Sequence, residues 1–161
     1  MTTEGPVRWG ILGTGGINTK FLAGSRLASA AEVVAVASRD PARATAYASD
    51  HGIGRAHGSY EALLADPDVE AVYISLPNSL HHPWTMAALA AGKHVLCEKP
   101  YSPRPADVEA AFAAAEAAGL VLSEAFMWRH HPQVALLKQL MPRIGELRTI
   151  RATFSFVLGN Q

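Results

Sequence analysis

Short runs dominated by apolar residues most constrain the fold of this chain. They occupy residues 7–12, 32–38 and 69–76, and the second run is rich in β-branched residues. Such composition is typical of strands buried on both faces, whereas a strand with one solvated face alternates apolar and polar residues. Helical spacing follows the first run, at Ile17, Phe21 and Ala28. The pattern predicts an α/β protein with a Rossmann-type, doubly wound parallel sheet.

A glycine turn follows the first run, in Gly13-Thr14-Gly15-Gly16. Glycine lets the backbone turn tightly and approach a pyrophosphate, whose charge is met by free amides at a helix N-terminus. The full G-x-G-x-x-G motif is absent because Asn18 occupies the third glycine position. We expect this turn, together with Ile17, to bind a dinucleotide, with helix and strand slightly further apart than the motif allows.

The end of the second run indicates which dinucleotide is bound. NAD-binding folds usually place an acid there for the ribose hydroxyls, but this chain has Ser38-Arg39, which favours NADP over NAD. Asp40 precedes Pro41 and is better explained as a helix N-cap than as a ribose ligand. Arg39 and Arg43 then lie at the positive end of a helix dipole, where a 2′-phosphate would offset their repulsion. The alternative is a pair of solvated arginines.

A third feature is the abrupt end of an apolar strand at Glu98-Lys99-Pro100. Open α/β sheets hold their ligands at the carboxyl ends of the strands, which is where this lysine would emerge. Pro100 ends the strand at once, so Lys99 leaves the sheet at a fixed height, and a cis bond before the proline is possible. Lys99 is the candidate catalytic amine, and Glu98 and Lys99 are candidate cofactor contacts. The alternative is a surface lysine at a strand end.

Two further loops leave the predicted sheet at this edge. We expect Leu76-Pro77-Asn78 and His81 to contact the nicotinamide ribose or the substrate, the alternatives being a capping asparagine and a surface histidine. Trp128 and Arg129 follow a strand that ends near residue 126, and they are candidates to stack beside the cofactor or pair with it. The alternative is a core tryptophan and a surface arginine.

Composition excludes several classes of partner. The chain has 14 basic and 14 acidic residues, so neither nucleic acid nor a membrane surface is an expected partner, and a small metabolite is. No apolar run approaches the roughly 20 residues of a membrane span. Cys97 is the only cysteine, which excludes an internal disulfide and agrees with a cytoplasmic location. The paired histidines at 81–82 and 130–131 point apart, so we expect no metal site.

The last stretch has a different pattern. Residues 148–158 alternate apolar and polar side chains, which predicts a strand with one buried face that begins a second sheet. We therefore expect a dinucleotide-binding domain over residues 1–126 and an incomplete substrate domain over 127–161. Because a lone strand is unstable, we expect self-association through Ile150, Phe154 and Phe156. We also expect the chain alone to turn over no sugar or diol.

Taken together, five segments resemble, in order, the Gfo/Idh/MocA oxidoreductases. The resemblance covers nearly the whole chain. Within the family, the segments look most like the branch that contains dimeric dihydrodiol dehydrogenase and NADP-dependent xylose dehydrogenase. The segments are Trp9-Gly-Ile-Leu-Gly-Thr-Gly, Ala37-Ser-Arg-Asp, Leu76-Pro-Asn-Ser-Leu-His, Gly92-Lys-His-Val-Leu-Cys-Glu-Lys-Pro and Glu124-Ala-Phe-Met-Trp-Arg.

This resemblance implies an NAD(P)-dependent oxidoreductase with an N-terminal Rossmann domain and a C-terminal α/β domain. The implied substrates are sugars, polyols or diols, and Lys99 would lie at the reacting hydroxyl. The further catalytic groups that the family takes from its C-terminal domain have no positions in this sequence. A nucleotide-sensing module without catalysis is the competing interpretation.

Overall fold

A computed structural model describes residues 5–153 and 155, and it divides into two compact units, Met1–Ala125 and Phe126–Gln161. The strands of the first unit are Val7–Leu12 (β1), Ala31–Ala37 (β2), Arg55–His57 (β3), Ala71–Ile74 (β4), His94–Cys97 (β5) and Leu122–Glu124 (β6). Its helices are Asn18–Leu27 (α1), Pro41–His51 (α2), Tyr60–Leu64 (α3), His81–Ala90 (α4) and Pro105–Ala117 (α5). Among the described residues, no helix has the length and hydropathy needed to cross a membrane.

The six strands form one parallel sheet in the order β3-β2-β1-β4-β5-β6. Helices cover both faces, so the predicted doubly wound, Rossmann-type sheet is confirmed. The chain builds the sheet outward from β1 to β3 and then returns to place β4 on the other side of β1. This reversal leaves a crevice at the carboxyl ends of β1 and β4, where such sheets bind ligands.

The pairing register places the ends of five strands in one row. Leu12 pairs with Ala37 on one side and with Ile74 on the other, Ile74 pairs with Cys97, and Cys97 pairs with Glu124. The segments that follow these five residues therefore leave the sheet at one level.

Two apolar clusters, one on each face, explain why the strands have so few polar residues. On one face, Leu22 of α1 and Ala48 of α2 pack with Ile11, Val36 and Tyr73. On the other face, residues of α3, α4 and α5 pack against alternate positions of the same strands, and they include Leu63, Ala88, Ala111, Leu12, Ala37 and Ile74. Each central strand is thus buried on both sides, as its composition indicates.

Two helices of the first unit begin at a side-chain cap, and one of these is the Asp40 cap expected from the sequence. The Asp40 carboxylate accepts hydrogen bonds from the backbone N–H groups of Ala42 and Arg43, so Asp40 is the N-cap of α2. Ser59 likewise accepts from the N–H of Ala62 at the start of α3. Both side chains satisfy amides that a helix leaves free at its first turn.

The second unit contains one α-helix, Pro132–Leu140 (α6), within its described residues. Short 3₁₀ turns flank it, at Met127–His130 and Met141–Ile144. The predicted strand over 148–158 is wrong for residues 148–153, which have no regular structure, while Phe154, Phe156 and the residues after 156 lie outside the described part. The alternating pattern marks one apolar face, but a strand also needs a neighbour for its backbone groups, and no described segment of this unit supplies one.

A charge network around the buried Asp66 carboxylate holds the segment ahead of β4. The Asp66 carboxylate accepts from Nε of Arg55 at 2.9 Å and from the N–H of Asp68 at 2.9 Å, and it lies 3.1 Å from Nε2 of His57. Burial alone would raise the pKa of Asp66, but the Asp68 and His57 hydrogen bonds and the Arg55 charge outweigh it and hold that pKa below its usual range. Lys93 also donates its ammonium to the Asp66 carbonyl, at 2.8 Å.

We expect Asp66→Asn to lower the free energy of unfolding by about 1 to 3 kcal/mol near neutral pH, because it weakens hydrogen bonds to a buried charge. The folded-state pKa of Asp66 lies below the unfolded value of about 3.9, so its stabilisation is present above that value and is lost as the pH falls through the folded pKa. Urea unfolding at neutral and acid pH should therefore show the wild type and the variant converging in acid.

Asp68→Asn is the matched control, since the Asp68 side chain is 61% exposed and forms an ion pair with Arg55 alone among the described residues. It should change stability little. A loss for Asp66→Asn that is the same at acid and neutral pH would contradict the network's charge dependence.

Candidate functional site

The row of strand ends brings the predicted site segments to one edge of the sheet. Gly13, Ser38, Ser75, Glu98 and Ala125 directly follow the five paired residues. The glycine turn, Ser38-Arg39, the loop after β4 and Glu98-Lys99 therefore share this edge, on either side of the crevice between β1 and β4.

The glycine turn lies directly against the loop after β4. Gly13 has φ +100°, and a Cβ built on it would lie 2.9 Å from Cδ2 of Leu76. A Cβ on Gly15 would lie 3.4 Å from the Ser75 carbonyl oxygen, whereas one on Gly16 meets nothing within 4 Å. Gly13 is thus required by both backbone conformation and space, while Gly16 faces an open region at the edge.

Backbone amides at this turn are free to bind an anion. The N–H of Gly13 donates to Ala37, and those of Asn18 and Thr19 donate back to Gly15 and Gly16. The four amides between them, residues 14–17, donate to no acceptor among the described residues. They stand at the N-terminus of α1, where free N–H groups and the helix dipole favour negative charge. The turn therefore fits a pyrophosphate.

Asn18 takes over the third glycine position by bonding to the turn. Its side chain is fully buried, and its Nδ2 donates to the Gly13 carbonyl at 3.0 Å. In the sequence Asn18 is only a departure from the motif, and this positioning role was not predicted. A polar residue at a position that normally packs helix against strand was the available signal.

At the end of β2, the two arginines are exposed and make no ion pair with any carboxylate in the described ranges. Ser38 is buried, and its hydroxyl accepts a hydrogen bond from the Asp40 N–H at 3.2 Å. Asp40 is used as a cap, as expected, so no carboxylate of this segment is turned toward a ribose. Arg39 and Arg43 are left as uncompensated cations beside the N-terminus of α2.

Glu98 is restrained beside the candidate lysine. Its carboxylate accepts from the Tyr73 hydroxyl at 2.7 Å and from the Lys99 N–H at 3.2 Å. Burial, reinforced by Glu98, raises the pKa of Tyr73 above its usual range, so Tyr73 stays a donor. The Tyr73 ring also stacks on Phe21 of α1, with centroids 4.2 Å apart. Sequence reasoning missed Tyr73, because nothing near it in the sequence distinguishes it from a core tyrosine without a polar partner.

The Lys99 side chain is exposed at the edge of the sheet and forms no ion pair with a described residue. The peptide bond between Lys99 and Pro100 is cis. The Lys99 amine is thus on the open side of this edge. The backbone N–H of Lys99 donates to the Glu98 carboxylate, which restrains the residue.

The loop after β4 gives its predicted residues different environments. Leu76 is buried against Gly13, and Pro77 and Asn78 are exposed at the start of a 3₁₀ turn. His81 is 1% exposed, and both of its ring nitrogens lie 2.8 Å from backbone carbonyl oxygens. The expected contact of His81 with ribose or substrate is therefore corrected, because no ring nitrogen is left free to make it.

Neither histidine pair forms a metal-like cluster. His82 directs Nδ1 at the Tyr101 hydroxyl, 3.0 Å away, so it diverges from His81. Within residues 5–153, no group of three or more histidine, cysteine, aspartate or glutamate side chains is placed to hold a metal ion.

Trp128 and Arg129 lie in the second unit. The Arg129 guanidinium carbon is 5.8 Å from the centroid of the Trp128 ring, and Trp128 is 60% exposed, so it is not a core residue. Their contact with a cofactor stays a prediction.

A protein-family model matches most of this chain. The model of the oxidoreductase family GFO_IDH_MocA, described as an NAD-binding Rossmann fold, matches residues 7–126. The chain belongs to this family. The resemblance seen in the five segments is thereby confirmed, and the matched range includes the glycine turn, Ser38-Arg39 and Lys99.

Relatives place the chain near sugar and diol dehydrogenases. D-xylose 1-dehydrogenase (NADP(+)) 2 of Haloferax volcanii is 48% identical over 151 residues, covering 93% of this chain and 46% of the relative. Trans-1,2-dihydrobenzene-1,2-diol dehydrogenase of Sus scrofa is 41% identical over 158 residues, covering 96% and 47%. The chain thus spans about half the length of the curated relatives it matches.

The fold is also similar to that of a solved structure. KijD10, a 3-ketoreductase from Actinomadura kijaniata determined in complex with NADP and TDP-benzene, is 40% identical with a TM-score of 0.79. The similarity covers 86% of this chain and 42% of that chain.

The two glycines of the turn should respond differently to substitution. Gly13→Ala should lower the free energy of unfolding by about 1 to 3 kcal/mol, since it combines a disfavoured positive φ with a clash against Leu76. Gly16→Ala should change it by no more than about 0.5 kcal/mol, because its Cβ meets nothing. Urea unfolding of both variants measures the difference, and equal losses would contradict the described turn.

Proposed function

We propose that this chain is the cofactor-binding part of an NADP-dependent oxidoreductase that transfers a hydride between nicotinamide and a secondary hydroxyl or carbonyl of a sugar, polyol or diol. The observation that carries the proposal is the row of unpartnered amides at residues 14–17, which shares one sheet edge with Glu98-Lys99. The names of the xylose and dihydrodiol dehydrogenases support the reaction and the substrate class.

Different segments along the edge would bind different parts of the cofactor. The amides of residues 14–17, which include Thr14 and Ile17, would receive the pyrophosphate. Leu76, Pro77 and Asn78 would flank the nicotinamide half, and Glu98 would accept hydrogen bonds from its ribose. When bound, NADP would supply the carbon that gives or takes the hydride.

Charge at the end of β2 supports NADP over NAD. The Ser38 hydroxyl does not repel a 2′-phosphate as a carboxylate would, and the only acid of this segment, Asp40, is committed to capping α2. Arg39 and Arg43 are exposed cations at a helix N-terminus that form an ion pair with no described carboxylate, and a 2′-phosphate would neutralise them. The NADP named in similar proteins agrees with this assignment.

Lys99 is the group proposed to accept or donate the proton of the reacting hydroxyl. A hydride leaves a secondary alcohol only as its hydroxyl proton is released, and a primary amine at the reacting hydroxyl can hold or transfer that proton. Glu98 supports Lys99 by accepting its backbone N–H, and Tyr73 fixes the Glu98 carboxylate in turn. These contacts restrain the backbone that carries the amine.

Domain organisation, assembly and location complete the proposal. We propose that residues 1–126 are the dinucleotide-binding domain and that 127–161 begin a substrate and oligomerisation domain. A homo-oligomer and a cytoplasmic location are proposed with it. In support of a reducing compartment, Cys97 is the only cysteine, so the chain forms no internal disulfide.

Arg39→Ala tests the proposed phosphate contact. A charge-assisted contact is worth about 1.5 to 3 kcal/mol, so NADP⁺ should bind this variant roughly tenfold or more weakly in a calorimetric titration, while NAD⁺ affinity is unchanged. Arg26→Ala is the control, because Arg26 lies in the last turn of α1, at the opposite end from the glycine turn, and its guanidinium donates to the His51 carbonyl. Equal weakening of both cofactors would show that Arg39 recognises something they share.

Lys99→Ala separates an enzyme from a nucleotide-sensing module, which would bind the cofactor without turnover. In an enzyme where this domain is joined to a substrate domain, the variant should lower kcat by about 10²- to 10⁴-fold and leave NADP⁺ affinity nearly intact. NADPH formation with xylose or a dihydrodiol measures turnover, and Lys20→Ala, an exposed lysine on α1, is the control. Unchanged turnover would remove Lys99 from the mechanism.

A further inference from the structure

His81 links two loops of the candidate site through its imidazole ring. It is the first residue of α4 and is 1% exposed. Nε2 lies 2.8 Å from the Leu76 carbonyl oxygen, after β4, and Nδ1 lies 2.8 Å from the Pro100 carbonyl oxygen, after β5. One buried side chain therefore contacts the backbone of the loop after β4 and the backbone of the loop after β5.

The chemistry of these two contacts limits the form of the ring. A carbonyl oxygen only accepts hydrogen bonds, and a neutral imidazole carries a single N–H and one bare nitrogen. A neutral His81 would point a lone pair at one of the two oxygens at hydrogen-bond distance, in a buried site where such a mismatch is costly. Both contacts are satisfied at once only when both nitrogens carry a hydrogen.

The surroundings supply no carboxylate to His81. Burial and its position in the first turn of α4 both disfavour a cation, so the two carbonyl oxygens must outweigh the cost of desolvation as well as the helix dipole. No described carboxylate forms an ion pair with its ring. The titratable groups on the elements packed around it are His82 on α4, Tyr73 on β4, His94 and Cys97 on β5, Glu98, Lys99 and Tyr101 after β5, Asp107, Glu109 and Glu116 on α5, and Glu124, which accepts from the Tyr101 N–H.

We propose that His81 is a buried imidazolium that ties the loop after β4 to the loop after β5. The Pro100 contact fixes the backbone one residue beyond Lys99, and the Leu76 contact fixes the residue that packs against Gly13. His81 is thus a positioning residue for both the amine and the glycine turn. The positioning role rests on the proposed function, whereas the charge state of the ring does not.

Nitrogen NMR of the imidazole side chains tests the charge state directly. In the ¹⁵N-labelled chain at neutral pH, both ring nitrogens of His81 should have the chemical shifts of protonated nitrogens. His94 is an internal control, because its Nδ1 accepts a hydrogen bond from the Val121 N–H at 2.9 Å and must be bare. A bare nitrogen on His81 would overturn the proposal, and this measurement needs no substitution that risks the fold.

Two substitutions of His81 separate its contact with Pro100 from its contact with Leu76. The amide nitrogen of asparagine replaces Nδ1, so His81→Asn retains donation to Pro100, whereas the longer His81→Gln retains donation to Leu76. Backbone amide resonances should shift at residues 75–79 in the asparagine variant and at Lys99 and Tyr101 in the glutamine variant. The same shifts in both variants would contradict two separate contacts.

Cofactor binding and turnover then test the positioning role. In the joined enzyme, His81→Gln should lower kcat about tenfold or more, because misplacing a catalytic group is costly, and His81→Asn should recover most of that loss. Equal losses in kcat would reject positioning through Pro100. Failure of the wild-type chain to bind NADP⁺ would reject the proposed function and the positioning role together, while the nitrogen spectrum would still decide the charge state.

Discussion

Hydrogen bonding between parallel strands places five strand ends in one row, and the candidate site depends on that register. Leu12 pairs with Ala37 and with Ile74, and the row continues through Cys97 to Glu124. A shift of one residue in any strand would move its loop off this level and turn its apolar side chains to the wrong cluster. The two apolar cores therefore stabilise the register, and the register in turn assembles residues distant in sequence at one edge.

Local physical signals allowed much of this to be predicted from the sequence. Residues 33–37 are all apolar because β2 is buried on both faces, and Asp40 before Pro41 predicts the cap that forms. The glycine turn, Ser38 and Lys99 were predicted to share an edge because parallel strands end on the same side, and the register confirms this placement. Each inference depends on neighbours in sequence or on a general rule of sheet geometry.

The remainder depends on contacts between distant residues. Tyr73 reaches Glu98 across 25 positions, and His81 reaches Pro100 across 19, so no local pattern distinguishes these side chains from a core tyrosine or a surface histidine. Asn18 appears in the sequence only as a missing glycine, because its bond to Gly13 requires the turn to be formed. The alternation after residue 148 reports an apolar face, but strand formation requires a partner that the pattern cannot supply.

Binding of an anion by the glycine turn is the central claim, and an NMR titration of the ¹⁵N-labelled chain with NADP⁺ tests it most directly. The backbone amides of residues 14–17 have no acceptor among the described residues, so their resonances should show the largest shifts as the pyrophosphate binds, followed by those of Arg39 and Lys99. Gly52, which closes α2 at its C-terminal end, should not respond. Saturable binding that leaves residues 14–17 unshifted, or no binding at all, would contradict the account.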